Sequence, residues 1–267
     1  MRAIPPIWVI NLKRSENRRK LMENQFTEYG QNIEFIEAID GRLLTRRDME
    51  IYSQMLSIRH FGRELSLAEI GCALSHIRIW KRIVEEKLNE VLICEDDIKF
   101  DESLFGVIRN RDRFPDDYDH LNLSTYAAKL PFGETIYDKY KASHYEGKVK
   151  SCAAYLLTYR GACKLLENVF PICMPVDIYI PRSSSLQSYG VYPRLVEYAN
   201  LESTIVPTGN YDIPIRKRNY YLLHKFKSYL YQAGIHLGMT PKKLNQKIIQ
   251  IKHKWNNILS IFSDNEL

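Results

Sequence analysis

The sequence predicts an α/β fold in which helices cover a sheet, and three stretches support this. Ile7–Leu12 (IWVINL) is rich in β-branched and aromatic residues, as expected of a buried strand. Ile33–Ile39 (IEFIEAI) has the alternation of a second strand, and a helical segment separates the two. Val91–Asp97 (VLICEDD) begins with four apolar residues and ends in three acids; the apolar part fits a strand buried on both faces, with a buried helix turn as the alternative. Strand, helix and strand in succession indicate a right-handed βαβ unit.

The composition is that of a soluble globular protein with one sizeable domain and an appendage. The chain has 267 residues, of which 45% are hydrophobic and 26% are charged. Residues 1–212 carry a formal charge of −2 and residues 213–267 one of +8. Because no signal-peptide core or spanning segment is recognisable, we expect a cytoplasmic protein. The five cysteines form no CxxC pair, which favours reduced thiols over disulfides or a zinc site.

After the first strand, a polar turn leads into a predicted helix over residues 16–29. Ser15 suits its N-cap, and Arg18 and Arg19 follow in the first turn. A cationic helix start after a strand favours a phosphate or diphosphate group. The alternative is a solvated basic face, which we prefer for Arg19.

The second strand ends at the turn dipeptide Asp40-Gly41, and residues 42–63 should contain a short helix and a loop. Ser66 and Glu69 then form a capping-box pattern, which predicts a helix from there to about Lys87.

Two features of this helix concern a site. Cys72 and His76 are four residues apart and therefore share one face. His76 is either a core-edge histidine bonded to backbone or a pocket residue. Gly71 costs helix stability unless close packing requires it.

The acidic end of the third strand, Glu95-Asp96-Asp97, is the central candidate for a site. If the chain stays extended past Cys94, Glu95 and Asp97 point one way and Asp96 the other. Two converging carboxylates repel each other unless a basic side chain or a hard cation such as Mg²⁺ or Mn²⁺ lies between them. Ligands also bind at the carboxyl ends of strands in open α/β sheets. The alternative is a solvated acidic turn.

The second half of the chain contains further predicted strands and a helix, with a predicted loop among them. The weak periodicity of residues 125–149 predicts a mobile or functional loop. Asp177 is a lone acid between apolar neighbours, and is either a base with a raised pKa or a structural acid bonded to a backbone N–H. The remaining predicted elements are strands at 118–124, 151–158 and 191–196 and a helix at 160–170.

The C-terminal region, residues 213–267, combines ten basic residues with clustered tyrosine and leucine. Such a mixture suits an anionic membrane surface, where each Lys or Arg contributes about 1 kcal/mol. A nucleic-acid arm is the rival interpretation. We prefer the membrane, because tyrosine and leucine beside lysine suit an interfacial anchor. We therefore expect no nucleic-acid partner.

Several blocks together resemble glycosyltransferase family 25, the lipopolysaccharide and lipooligosaccharide sugar transferases related to the collagen galactosyltransferases. Each block alone is weak, but their order and spacing are specific. The blocks are Val9–Leu12 with Arg18, Glu37–Gly41, Leu65–Cys72 with Ser75 and His76, Ile93–Asp97, Ala154–Tyr155 and Pro175–Asp177.

The resemblance implies a GT-A type fold, a Rossmann-like mixed sheet flanked by helices, over residues 1–212. Residues 213–267 would form a basic, mainly helical extension that holds the enzyme on the inner face of the cytoplasmic membrane. It further implies an inverting transfer, most often from UDP-galactose, that gives a β-linked, often β-1,4, product. The acceptor would be a lipooligosaccharide or lipopolysaccharide saccharide.

The resemblance also implies residue roles. Mn²⁺ (or Mg²⁺) would be held by Asp97, with Glu95 contacting it through water or reaching the ribose, in a DxD-like motif whose first Asp is replaced by Glu. Asp177 would be the general base, and Arg14 or Arg18 would help neutralise the UDP leaving group. The residues implied to line the nucleotide-sugar pocket are Asn11, Leu12, Arg14, Arg18, Ala38, Asp40, Gly41, Ser75, His76, Glu95 and Asp96.

Two functions from other classes stay open on the sequence. One is a metal-dependent phosphohydrolase that uses the clustered acids to activate water. The other is a non-catalytic membrane adaptor whose core only supports the basic C-terminal region.

Overall fold

The computed structural model describes most of the first three quarters of the chain. The described residues are 2–124, 134–143 and 151–199. The chain divides into two compact units, residues 1–54 with 65–209 and residues 55–64 with 210–267. The first unit holds the sheet. Of the second unit, residues 55–64 are described. The predicted extension over residues 213–267 lies outside the described residues.

Strands and helices follow one another much as the sequence predicts. The strands are β1 (Ile7–Asn11), β2 (Glu34–Glu37), β3 (Glu90–Glu95), β4 (Ile98–Phe100), β5 (His120–Asn122), β6 (Glu134–Tyr137), β7 (Tyr140–Ser143), β8 (Ala154–Thr158), β9 (Ser188–Tyr192) and β10 (Val196–Tyr198). The helices are α1 (Glu16–Glu28), α2 (Arg46–Met49), α3 (Gln54–His60), α4 (Leu67–Glu85), α5 (Ser103–Arg109), α6 (Tyr159–Glu167) and α7 (Val176–Arg182).

Eight strands form one mixed sheet in the order β2-β1-β3-β8-β5-β9-β7-β6. β1 pairs in parallel with both β2 and β3, which confirms the predicted βαβ unit. β8 lies antiparallel between β3 and β5, so β5 runs in the same direction as β3. The carboxyl ends of β1, β2 and β3 therefore share one edge of the sheet, and we call this the carboxyl edge.

Helices cover both faces of the sheet. On one face, Leu92 and Cys94 of β3 share a buried cluster with Met22 and Phe26 of α1. On the other face, Trp80 of α4 donates a hydrogen bond from Nε1 to the Tyr155 hydroxyl on β8, at 3.0 Å. The predicted α/β class with a mixed sheet flanked by helices is confirmed.

Helix α4 begins with the capping box that the sequence predicts. Ser66 Oγ accepts a hydrogen bond from the Glu69 backbone N–H at 3.2 Å, and Glu69 Oε2 accepts one from the Ser66 N–H at 2.8 Å. Since both partners satisfy free N–H groups of the first turn, the helix start is fixed locally. The four apolar residues of β3, Val91 to Cys94, are fully buried, as expected of a strand covered on both faces.

Two predictions for the second half are wrong. Residues 134–143, within the predicted loop, form the β6–β7 hairpin, whose side chains Ile136, Tyr140 and Ala142 are buried in the core. The rest of that loop lies outside the described residues. The predicted strand at 191–196 covers the end of one strand and the start of another. β9 ends at Tyr192, and β10, which begins at Val196, belongs to a different sheet. Pro193 between them has no N–H for a ladder hydrogen bond.

Candidate functional site

A cavity of about 490 Å³ opens at the carboxyl edge of the sheet. Its walls combine separate segments that the sequence nominates for a site. Asn11 is absent from the lining, and its buried side chain supports Asp96. The nominated residues that line the cavity are Leu12, Arg14, Arg18, Ala38, Asp40, Gly41, Ser75, His76, Glu95, Asp96, Asp97 and Asp177.

The three acids after β3 do not follow the predicted alternation. The strand ends at Glu95, and Asp96 and Asp97 form the turn into β4. All three line the cavity, so the expectation that Asp96 points to the opposite side is wrong. The reason is that the chain reverses here to join β4, which pairs with β10 instead of extending the main sheet.

Asp96 is the buried anchor of this turn. Its Oδ2 accepts a hydrogen bond from Asn11 Nδ2 at 2.7 Å, and its Oδ1 accepts one from Arg18 at 2.8 Å. Asn11 is the last residue of β1 and Arg18 lies in the first turn of α1. Asp96 therefore ties the acidic turn to the strand and helix beside it, and both of its oxygens are satisfied from within the protein.

Asp97 has a different environment. Its Oδ2 lies 3.3 Å from the guanidinium of Arg18, which also pairs with Asp96. Its Oδ1 is buried and has no hydrogen-bond partner among the described residues. Burial, and then the negative charge of Glu95, raise the pKa of Asp97 to about 6. A hard divalent cation would satisfy this oxygen and lower that pKa, so the residues present fit Mn²⁺ or Mg²⁺.

Asp40 lines the cavity and pairs with two arginines. It caps the 3-10 turn Gly41–Leu43 by accepting the Arg42 backbone N–H at 3.1 Å. Its carboxylate also pairs with Arg42 at 2.8 Å and with Arg14. The hydrogen bond from Arg42 is the main reason that the pKa of Asp40 lies below its usual value. Two guanidinium groups are thereby fixed beside the cavity, where they favour an anionic ligand.

The Asp40 turn is seated directly on α4. A Cβ at Gly41 would lie 2.1 Å from the carbonyl oxygen of Leu67, and one at Gly71 would lie 2.6 Å from that of Ile39. Close packing therefore requires the glycine in mid-helix. Ser75 Oγ accepts the Ile39 N–H at 2.8 Å and donates to the Gly71 carbonyl at 2.7 Å. Ser75 thus positions the wall of the cavity.

His76 is fully buried and lines the cavity, and among the described residues its hydrogen bond is to a side chain, so the alternative of a histidine bonded to backbone is not what the structure shows. Its Nδ1 lies 2.8 Å from the Tyr155 hydroxyl, which also accepts the Trp80 Nε1–H. Its Nε2 faces Glu95, with Oε1 3.7 Å away. The network holds the imidazole against the first acid of the motif.

Asp177 lies in the first turn of α7, half-buried, and lines the same cavity as the acids. The fold therefore brings together a carboxylate and an acidic cluster that are about eighty residues apart in sequence. This placement suits a general base, which must reach the substrate atom from which it takes a proton.

Sequence reasoning missed three residues that shape the site. Arg42 pairs with Asp40, and Cys152 and Tyr198 line the cavity. Cys152 and Tyr198 carry no local signal, because tertiary pairing alone places them there. For Arg42 the available signal was its position two residues after the acid Asp40, which allows the opposite charges to pair.

Comparisons with known proteins identify relatives for this part of the chain. Residues 4–180 match the model of glycosyltransferase family 25 (LPS biosynthesis protein). A glycosyltransferase 25 family member of Drosophila pseudoobscura pseudoobscura is 35% identical over 187 residues, which cover 66% of this chain and 29% of that protein. Human procollagen galactosyltransferase 2 is 26% identical over 206 residues, which cover 74% and 33% of the two chains.

A third relative carries a name that describes it as probably inactive. The bovine probable inactive glycosyltransferase 25 family member 3 is 29% identical over 194 residues, which cover 66% of this chain and 31% of that protein. The chain thus matches about a third of the length of these curated relatives.

Proposed function

The chain belongs to glycosyltransferase family 25, and we propose that it transfers a sugar from a UDP-sugar to a saccharide acceptor in a metal-dependent, inverting reaction. The observation that carries the proposal is Asp97 Oδ1, a buried carboxylate oxygen without a hydrogen-bond partner in the described structure, in a cavity walled by arginines. A nucleoside diphosphate and its divalent cation have the charges that these groups complement.

We propose UDP-galactose as the donor. The support is the name of the human relative, a procollagen galactosyltransferase, together with the family resemblance. A lipooligosaccharide or lipopolysaccharide acceptor is supported by the family description, which names LPS biosynthesis. The proposed product is a β-linked, often β-1,4, galactoside.

In this proposal the residues at the carboxyl edge bind the donor. Asp97, with Glu95 beside it, would hold Mn²⁺ or Mg²⁺, which acts as a Lewis acid towards the departing diphosphate. Arg18 remains fixed by Asp96, so its positive charge stays next to the diphosphate position. Arg14 supplies a second positive charge from the Asp40 cluster. The remaining pocket residues shape the nucleoside side, and they are Asn11, Leu12, Ala38, Gly41, Ser75 and His76.

Asp177 is the proposed general base. Its carboxylate takes the proton of the acceptor hydroxyl as that oxygen bonds to the anomeric carbon. The bond from the anomeric carbon to the UDP oxygen breaks on the opposite face, and the electron pair leaves with UDP. The configuration at the anomeric carbon is inverted as a result.

The test of this role compares Asp177→Asn with Asp116→Asn, a change to an exposed acid outside the cavity. Asp177→Asn should lose acceptor-dependent transfer by at least about 100-fold, the lower end of the range for general-base catalysis. Binding of UDP with Mn²⁺ should persist, because the base does not contact the diphosphate. Wild-type transfer by Asp177→Asn would refute the role. Loss of both transfer and UDP binding would make Asp177 a structural acid.

We further propose that residues 1–212 are the catalytic domain and that residues 213–267 hold it on the cytoplasmic face of an anionic membrane. The +8 charge of the second region supports this. None of the helices in the described part of the chain has the length and apolar character needed to cross a bilayer. Deleting residues 213–267 should abolish co-sedimentation with phosphatidylserine liposomes. Unchanged co-sedimentation would refute the anchor.

A further inference from the structure

A second group of metal-ligating side chains lies on the same cavity, beside the acids. One ligand atom from each of Cys72, His76 and Glu95 lies within 4.8 Å of the other two. Cys152 joins them, because its Sγ is 3.2 Å from Glu95 Oε1 and it lines the same cavity as Cys72. The four groups comprise two thiols, an imidazole and a carboxylate. We call them the thiol cluster.

Rigid elements bring the thiol cluster together. Cys72 and His76 are one helical turn apart on α4 and present their side chains on the same face. Glu95 is the last residue of β3, and its backbone N–H donates to the Ala153 carbonyl at 2.8 Å. Cys152 therefore lies directly beside the end of β3, just before β8 begins. Cys72, His76 and Glu95 thus lie on a helix or a paired strand, where ligands are held more firmly than on loops, and Cys152 lies two residues before β8.

His76 has the arrangement of a metal-ligating histidine. Its Nδ1 is held by the Tyr155 hydroxyl at 2.8 Å, and Trp80 fixes that hydroxyl in turn. Its Nε2 is buried, faces the cluster and has no hydrogen-bond partner among the residues that the structure describes. Histidine ligands usually bond through one ring nitrogen to a partner that fixes the tautomer, which leaves the other nitrogen for the metal. In the tautomer in which Nδ1 donates to the Tyr155 hydroxyl, the lone pair of Nε2 is available to a metal.

We propose that Cys72, His76, Glu95 and Cys152 form a binding site for a zinc-class divalent cation. Thiolate and imidazole ligands favour such ions, whereas Mn²⁺ and Mg²⁺ prefer oxygen. This site shares Glu95 with the oxygen site at Asp97 and takes its other ligands from Cys72, His76 and Cys152. Binding releases the thiol protons to solvent, since cysteine ligates as the thiolate.

The test uses the full-length protein, freed of metal with a chelator and titrated with Co²⁺ as a spectroscopic substitute for Zn²⁺. We expect one equivalent of Co²⁺ to give thiolate charge-transfer absorption and the intense visible bands of a tetrahedral site. Zn²⁺ should remove these bands and Mn²⁺ should not. Cys72→Ser and Cys152→Ser should each weaken Zn²⁺ binding by at least about 100-fold, the upper end of the loss caused by removing a supporting partner.

Cys163→Ser is the matched control, because Cys163 is a partly buried thiol on α6 outside the cluster. It should bind Co²⁺ and Zn²⁺ like the wild type. Asp97→Asn should also retain Zn²⁺ binding, which separates a failure of this proposal from a failure of the proposed transferase. Absence of the charge-transfer band, or equal binding by Cys72→Ser and the wild type, would overturn the site.

A measurement on the wild type guards against variants that do not fold. Zn²⁺ should protect Cys72 and Cys152 from alkylation, as read by peptide mass spectrometry, and should leave labelling of Cys163 unchanged. Equal alkylation of Cys72 and Cys152 with and without Zn²⁺ would contradict the proposal.

Discussion

Two acids at opposite edges of the sheet, Asp97 and Asp119, differ in how completely they are paired. Asp119 precedes β5 and is fully buried. Its Oδ1 lies 2.5 Å from Arg160 Nε. Its Oδ2 accepts hydrogen bonds from Lys164 Nζ at 2.6 Å and from the Gln187 backbone N–H at 2.8 Å. Burial raises the pKa of Asp119, but these partners lower it by more, so the net pKa is below the usual value.

At the carboxyl edge the pairing of Asp97 is incomplete. Asp97 shares the guanidinium of Arg18 with Asp96, and its Oδ1 has no hydrogen-bond partner in the described structure. Its pKa is raised to about 6. Each oxygen of Asp119 is used to hold the fold together. The comparison indicates that a buried carboxylate available to a ligand can be recognised by an oxygen without a hydrogen-bond partner in the described structure.

The largest expected effect is on activity. Asp97→Asn should reduce Mn²⁺-dependent hydrolysis of UDP-galactose by at least about 100-fold, because a neutral amide cannot replace an anionic ligand at a cation. The readout is UDP release without acceptor. Asp119→Asn, which removes a carboxylate of the same sheet, should stay within about threefold of the wild type when folded. Undiminished hydrolysis by Asp97→Asn would remove Asp97 from the metal site.

The opposite ranking should hold for stability. Asp119→Asn removes the buried negative charge that pairs with Lys164. It should lower the free energy of unfolding by about 2 kcal/mol. The expected loss of stability is modest, because Arg160, the other partner of Asp119, is half-exposed and its ion pair is screened by solvent. Urea denaturation at neutral pH measures it, with exposed Asp116→Asn as a control that should change by less than about 0.5 kcal/mol. If Asp97→Asn destabilises the protein more than Asp119→Asn, the comparison fails.

The smallest effect is a pH dependence of opposite sign at the two acids. The pKa of Asp97 is raised to about 6, so its contribution to stability is present below the usual carboxyl range and lost as pH rises through 6. The pKa of Asp119 is lowered, so its contribution is present above that range and lost as pH falls below it. With a chelator present, the free energy of unfolding of Asp97→Asn should therefore exceed that of the wild type by about 1 kcal/mol above pH 6 and equal it at low pH.

Unfolding free energies of the wild type and both variants, from about pH 3 to about pH 8, check this dependence. The deficit of Asp119→Asn should shrink towards the acid end. Deficits of the same sign and shape in both variants would show that the two acids do the same structural work.

The parts that could be predicted from sequence are those set by local chemistry. The buried run of β3 and the capping box of α4 each depend on neighbouring residues, and both appear where the pattern places them. The parallel pairing of β1 and β2 followed from the βαβ pattern and its chirality.

The rest depended on how distant segments pair. Alternation beyond Cys94 failed because β4 pairs with β10, about one hundred residues later, and so turns the chain at Asp96. The cysteine spacing, which argued against a zinc site, missed the thiol cluster for a similar reason. Cys152 has no motif partner in sequence, and antiparallel pairing of β8 with β3 places it beside Glu95.

The central claim is that Asp97 holds a cation that binds a nucleoside diphosphate, and isothermal titration calorimetry of UDP tests it most directly. With Mn²⁺, the wild type and Asp119→Asn should bind UDP at least about tenfold more tightly than without it, a difference of about 1.4 kcal/mol. Asp97→Asn should lose that enhancement. Equal affinity of the wild type for UDP with and without Mn²⁺, or an enhancement that survives in Asp97→Asn, would contradict the account.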